Sequence, residues 1–281
     1  MALDEIGDWS VDKLRILKAY AKPYSSILQK QISAGTGKRT LSHGYIDAFA
    51  GAGEHVHKKT REIVPGSPLI ALEQGFDEYH FIDLDSERVE LLRAKTAGNK
   101  RVTVHHGDCN QVLLHNVLPR FKFEAFRRAL CFLDPYGTHL NWDVLAAAGK
   151  MGTIEIFLNF PINDMNRNAK RTSIDLVKPD ERTRMTAFWG DESWHKAMYP
   201  ESQQRTLDLL GDGEGFEREK ANNDAFAEAF RKRLNDKAGF KYVPKPVAMR
   251  NSNNSELYYL FFASNNDRGD KIARDIFKYY T

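Results

Sequence analysis

From Tyr45 to Leu158 short apolar runs alternate with segments of helical periodicity, and most of these runs lead into an acid. The runs are Tyr45-Ile-Asp47-Ala-Phe49, Tyr79 to Asp83, Arg101 to His105, Ala129 to Leu133 and Thr153 to Leu158. Between them, helices are expected from Ser67, over Ser86 to Ala94, and over Trp142 to Ala148, with Ser67 and Ser86 as N-caps and Pro68 at the first helical position. Strands that alternate with helices must run parallel, because each crossover returns the chain to the same edge. The helices then cover both faces of the sheet. In such sheets ligands bind at the carboxyl ends of the strands, near the point where strand order reverses.

Two further strands are expected near the end, over Lys241 to Arg250 and Leu257 to Ala263, joined by the turn-like Asn251-Ser-Asn-Asn-Ser255. This hairpin places an antiparallel strand in the sheet. The fold expected is therefore α/β: a doubly wound, Rossmann-like, mostly parallel seven-stranded sheet. An N-terminal helical extension occupies 1–40, with a helix over Trp9 to Gln31 that Pro23 kinks or divides. The core runs over 41–162, a helical insertion after strand five over 163–218, and the completion of the core over 219–281, opening on a helix from Asn223 to Ala238 that Gly239 stops.

Composition narrows the setting. The 281 residues, 42% of them hydrophobic, are ample for one substantial core. No apolar run reaches the roughly 18 to 20 residues of a membrane span, and the first residues have no signal-peptide pattern. A cytoplasmic location and no membrane partner are expected. The net charge of +3 is too mild to demand nucleic acid. Cys109 and Cys131 cannot build a disulfide scaffold or a four-ligand zinc site, and read most simply as small apolar fillers.

The first strand runs into Asp47-Ala-Phe-Ala-Gly51-Ala-Gly53, where the glycines permit a tight turn and close approach of a ligand to the backbone. Asp47 would repel a pyrophosphate and suits a cationic or ammonium-bearing ligand; the alternative is a glycine turn with an acidic cap. Gly35-Thr-Gly-Lys38 lacks the first glycine of a nucleotide-triphosphate loop. Asp83, at a strand end, can accept both hydroxyls of a ribose, with Asp85 as a competing candidate or a helix cap. Asp108 can take the exocyclic amine of an adenine, or merely close a turn. In Asp134-Pro135-Tyr136-Gly137 a carboxylate or carbonyl can accept from a planar amine, and the tyrosine offers a stacking face. Taken together, these acids describe a site for an adenosine with a positive, non-phosphate tail.

Two basic clusters bear on a substrate. One is Glu54-His-Val-His-Lys58-Lys59-Thr-Arg61-Glu62, read as a loop beside the cofactor site. The other is Asn166, Arg167, Lys170 and Arg171. Lys58, Lys59, Arg61 and Arg167 can contact a phosphate backbone or form a solvated face. His55 and His57 alone do not make a metal site, and no metal is expected. Trp189 and Trp194 read as helix-packing residues.

The acid-glycine loop, Asp83, Gly107-Asp108 and Asp134-Pro-Tyr-Gly, in that order, resemble a class I S-adenosylmethionine-dependent methyltransferase. More narrowly, Tyr45-Ile-Asp-Ala-Phe-Ala-Gly-Ala-Gly-Glu54, Gly66-Ser-Pro-Leu69, Gly107-Asp-Cys-Asn110 and Phe132-Leu-Asp-Pro-Tyr-Gly137 look like the three-Cys-motif partner proteins of bacteria. The likeness covers most of residues 9–165. The resemblance implies S-adenosylmethionine as cofactor, with Asp47, Gly51 and Gly53 at its methionine end, Asp83 at the ribose, and Asp108 and Cys109 at the adenine; Phe49 and Asp85 are further cofactor-binding candidates. Asp134, Pro135 and Tyr136 would face the methyl acceptor. The string is similar to the Asp/Asn-Pro-Pro-Tyr/Phe of enzymes that methylate exocyclic amines of bases, with Tyr136 replacing the second proline, and closer to the Asp-Pro-Phe-Gly of a tRNA guanine-N2 methyltransferase family. It further implies a partner protein that carries the three cysteines. The alternative expectation is a non-catalytic or partner-dependent subunit acting by protein–protein binding.

Overall fold

The structure, a computed structural model, describes residues 3–34, 41–168, 177–200, 222–251 and 253–280. Its centre is a seven-stranded sheet of β2 (Ser42–Asp47), β5 (Glu78–Asp83), β6 (Val102–His106), β7 (Arg127–Leu133), β8 (Ile154–Phe160), β9 (Val247–Arg250) and β10 (Glu256–Ala263). The spatial order is β6-β5-β2-β7-β8-β10-β9. The first five are parallel, and β10 runs antiparallel to both β8 and β9. Strand order therefore reverses between β2 and β7, the mostly parallel, doubly wound arrangement expected.

Both faces are apolar because the central strands are near-continuous apolar runs whose side chains point alternately to either side. Tyr45, Phe81, Leu130, Phe132, Phe157 and Phe262 point to one side, and Ile46, Ile82, Cys131, Leu133, Leu158 and Phe261 to the other. The first side is covered by α1 (Asp8–Ala34), α2 (Ser67–Leu72), α3 (Ser86–Lys95) and α10 (Asp267–Phe277). The second is covered by α4 (Cys109–Val112), α5 (Trp142–Met151), α6 (Ile162–Asn168), α7 (Pro179–Trp189), α8 (Trp194–Met198) and α9 (Asn223–Asp236).

Several expectations change. The first helix is continuous through Pro23, and its stripe of Ile16, Leu17, Tyr20, Ala21, Tyr24 and Leu28 lies in the core. Tyr20 packs 5.1 Å from Phe157 and 4.8 Å from Phe262, ring centre to ring centre. Burial of that stripe outweighs the one backbone bond a proline removes. The cap of α2 is Gly66 instead of Ser67, and that of α3 is Asp85 instead of Ser86. The Asp85 carboxylate accepts from the Glu87 and Arg88 amides, which a carboxylate does well at a helix amino end. The strand expected from Lys241 begins only at Val247, because Pro244 and Pro246 withhold ladder donors; Tyr242 makes one isolated bridge to Ser264.

The segment after Gly53, expected as a loop, is a hairpin: β3 (Glu54–His57) and β4 (Ile63–Pro65) flank a turn over 58–62 that holds Lys58, Lys59 and Arg61. They form a second, three-stranded sheet with β1 (Glu5–Ile6). The expected insertion supplies α6, α7 and α8, while 201–218 and the Gly35 to Lys38 turn lie outside the described residues. Trp189 and Trp194 are buried in helix packing. Among the described residues no helix is long and apolar enough to cross a membrane.

Helix α5 meets the end of α9 at Gly149, where a Cβ would overlap the Ala238 carbonyl oxygen and crowd the Phe240 ring. Gly149→Ala should therefore destabilise the chain by roughly 1–3 kcal/mol, opposite to the usual effect of alanine in a helix. Urea unfolding checks this; a neutral or stabilising result would show that α5 and α9 do not pack this closely.

Candidate functional site

At the carboxyl edge of the sheet, where order reverses, β2 ends on Asp47 and β7 is followed by Asp134. The loop after β2 turns at Gly51 (φ +60) and Gly53 (φ +84), conformations that glycine adopts without strain. Two contacts hold it. The Gly51 amide donates to Asp83 Oδ2 at 2.8 Å, and the Gly66 amide donates to the Gly53 carbonyl at 2.8 Å. Asp83 Oδ1 accepts from the Asp85 amide at 2.9 Å, so this buried acid spans the ends of two strands.

Next to this loop lies a cavity of about 520 Å³. Phe49, Gly51, Asp134, Pro135, Tyr136 and Arg167, all expected at the site, line it together. Asp134 is fully engaged: Lys13 Nζ forms an ion pair with Oδ2, and Asn159 Nδ2 donates to Oδ1 at 2.7 Å. Lys13 is buried and sits 5.3 Å from the centre of the Tyr258 ring. The Asp134 side chain stays 27% exposed, so removing it would leave the buried Lys13 ammonium without its counter-charge. Asn159 Oδ1 and His55 Nδ1, each in a residue that lines the cavity, are buried without a partner among the described residues. Burial, then the nearby Lys13 charge, lowers the His55 pKa and favours a neutral imidazole. Tyr136 is 61% exposed. Its hydroxyl accepts from Arg88 Nη1 at 3.0 Å and donates to Asp4 Oδ2 at 3.3 Å, which fixes the ring's orientation.

The other expected residues are placed differently. Asp47 is wholly buried beneath the loop, where its carboxylate accepts from the Phe49 amide and the Tyr45 hydroxyl, each at 3.3 Å. Burial pushes its pKa up to about 7. Asp108 caps α4 through the Gln111 amide, as Asp85 caps α3. Cys109 is buried at the start of α4, and desolvation, then Asp108, pushes its thiol up to about 12. Lys59 pairs with Asp8 at 2.5 Å and Arg61 with Glu5, while Lys58 is exposed on the same turn. His57 turns to Asp8 at 3.0 Å, away from any shared ligand with His55. Lys170 and Arg171 lie outside the described residues, and Asn166 bonds to Asn223.

Sequence reasoning missed the wall supplied by the first helix and the residue just before β1: Asp4, Trp9 and Lys13. A signal existed for Lys13, a cation four residues before Leu17 on the buried stripe. Asn159 was legible too, as an amide near the end of β8, a strand whose one other polar residue is Glu155 at its start.

Because Asp47 takes up its proton more readily in the folded chain, its contribution to stability is complete below about pH 4 and is lost as pH rises through about 7, by roughly 4 kcal/mol at most. Asp47→Asn should therefore gain stability relative to the parent between pH 5 and 8.5. Denaturant unfolding at both values measures the difference; parallel profiles would mean that Asp47 titrates normally.

No family model and no curated protein matches the chain. Among solved structures, a Legionella pneumophila protein of the DUF519 family aligns over 93% of this chain and 92% of its own, at 13% identity and a TM-score of 0.47. The methyltransferase domain of a bacterial protein, CtHen1-CN, aligns over 89% and 99%, at 10% identity and a TM-score of 0.40. The DszA carbon methyltransferase aligns over 85% of this chain and 51% of its own, at 14% identity and a TM-score of 0.38.

Proposed function

We propose that this chain is an S-adenosylmethionine-dependent methyltransferase whose acceptor is a planar amine, with an exocyclic amine of a nucleic-acid base as the acceptor its Asp-Pro-Tyr-Gly string favours. The observation that carries the reading is the pairing of Asp134 with Asn159 on the wall of a cavity that adjoins the Gly51 loop at the switch point of the sheet. Carboxylate and amide oxygens there accept N–H groups. Tyr136, held by Arg88, presents a ring face against which a planar acceptor can stack.

The residues present suit the cofactor's charge. Four acids, Asp4, Glu5, Asp134 and Asp164, outnumber the two cations Lys13 and Arg167 in the cavity lining, and Trp9, Phe49, Tyr136 and Tyr258 add aromatic rings, a combination that suits sulfonium and ammonium groups. Asp83 and the Gly51 loop would hold its nucleoside side, and Asn159 Oδ1 offers an acceptor with no protein donor among the described residues. S-adenosylmethionine supplies an activated methyl group, so the chain's own task is to exclude water and to orient the acceptor lone pair. Arg167, at the cavity, is the basic residue best placed to meet a phosphate; Lys59 and Arg61 are held by acids.

One contact favours a second reading. Lys13 pairs with one oxygen of the Asp134 carboxylate, so an acceptor amine has to compete with that ion pair. A partner that moves α1 could open it, and the resemblance to three-Cys-motif partner proteins gives that partner a cysteine-rich character.

Calorimetric titration of the whole chain tests the reading. S-adenosylmethionine and S-adenosylhomocysteine should bind at micromolar levels, and ATP should not. Asp83→Ala should weaken both by about tenfold or more, as expected for lost hydrogen bonds to a charged group. Asp134→Ala should abolish transfer to RNA or DNA while changing cofactor affinity less than about threefold. Transfer seen only after a partner is added would select the second reading. Absence of cofactor binding at millimolar levels, with or without a partner, would overturn both.

A further inference from the structure

The amino edge of the same sheet carries a second cavity, of about 470 Å³, among whose lining residues are Tyr24, Leu28, Leu41, Arg128, Glu155 and Ile272. Arg128 and Glu155 stand near the starts of β7 and β8, the two strands that lead into Asp134 and Asn159 at the other edge. Asp134 lies six residue steps along the chain from Arg128, roughly 20 Å in a strand. The two cavities are therefore distinct.

Its polar groups fall into two sets. Glu155 is satisfied from within: the Tyr20 hydroxyl donates to Oε2, and Asn266 Nδ2 donates to Oε1 at 3.2 Å. Gly269 makes this possible, since a Cβ there would lie 2.7 Å from the Tyr20 hydroxyl and 2.8 Å from Glu155 Oε2.

The second set consists of donors that are short of acceptors. Tyr24 is 6% exposed, and its hydroxyl, within electrostatic reach of both Glu155 and Arg128, has no hydrogen-bond partner among the described residues. An unpaired buried hydroxyl costs about 1–3 kcal/mol, a penalty that a ligand acceptor would remove. Arg128 gives one N–H to the Arg127 carbonyl at 2.8 Å and lies 4.6 Å from the centre of the Phe123 ring. No carboxylate pairs with it among the described residues, and burial lowers its pKa. The amino end of the eleven-residue α10, capped by Asn266, adds a partial positive charge at the same wall. Against these stand Asp267, at the first position of α10, and Glu155, whose pKa burial raises to about 7.

We infer that this cavity binds a small molecule bearing an oxyanion on an apolar body. The oxyanion would accept from the Tyr24 hydroxyl and the Arg128 guanidinium, and the body would lie against Leu28, Leu41 and Ile272. The inference uses no residue of the proposed methyl-transfer site and stands independently of that reading.

Calorimetry on the whole chain with sodium benzoate, hexanoate, inorganic phosphate and benzylamine tests it. Benzoate or hexanoate should bind one to one with a Kd below about 1 mM. Tyr24→Phe, which keeps the ring and removes only the hydroxyl, and Arg128→Gln should each weaken binding by about tenfold, whereas Asp134→Ala at the far edge should change it less than about twofold. Circular dichroism on each variant confirms that the fold is retained. Tighter binding of phosphate than of the carboxylates would overturn the apolar body, and tighter binding of benzylamine would overturn the charge assignment. Absence of carboxylate binding at about 10 mM, or affinity unchanged in both Tyr24→Phe and Arg128→Gln, would overturn the site itself.

Discussion

A sheet that is apolar on both faces has to be covered on both, and this requirement ties the first residues of the chain to its last. Tyr45, Phe132, Phe157 and Phe262 would face water if α1 and α10 were elsewhere, and Tyr20 is the side chain through which α1 meets two of them. Each aromatic buried in this way contributes on the order of 2–3 kcal/mol. The first helix is thus a layer of the core, and its position carries Trp9 and Lys13 to the carboxyl edge and Tyr24 to the amino edge.

Placing one long helix across the sheet puts charges where water is scarce. Lys13 meets Asp134 at one edge, and Tyr20 meets Glu155 at the other. Asp47 lies beneath the glycine loop, where the Tyr45 hydroxyl and the Phe49 amide replace part of the solvent it has lost. A core optimised for stability alone would do better with apolar residues at such positions, since desolvation of a buried ion pair offsets much of its attraction. Their concentration at the two edges, next to the two cavities, fits the ligand binding proposed for each.

How much of this was readable beforehand depends on how local the determining physics is. The alternation of short apolar runs with helical patterns gave the order of strands along the chain and the terminal hairpin, because side-chain periodicity reports directly on burial; the spatial order, and with it the reversal between β2 and β7, came only from the fold. The glycine loop, Asp83 and the Asp-Pro-Tyr-Gly turn were also visible as residues of special conformation or charge at strand ends. The small sheet of β1, β3 and β4 was not. Its strands are two to four residues long and carry His55, His57 and Glu54, so no apolar alternation marks them, and β1 pairs with a segment about fifty residues away. The basic residues of the turn looked free for a phosphate because Asp8 and Glu5, which neutralise two of them, are just as distant in sequence.

The sequence by itself determined the class of fold and the edge at which a site forms, since both follow from periodicity and from the rule that parallel strands end together. Which residues meet there was decided only by tertiary structure. Asp85 and Asp108 became helix caps because unsatisfied amides lay within reach of their carboxylates. Asp134 acquired Lys13 from 121 positions away because covering the sheet brings α1 across the end of β7. Charge pairing and desolvation depend on distance in space, and a linear chain does not display that distance until the core has closed.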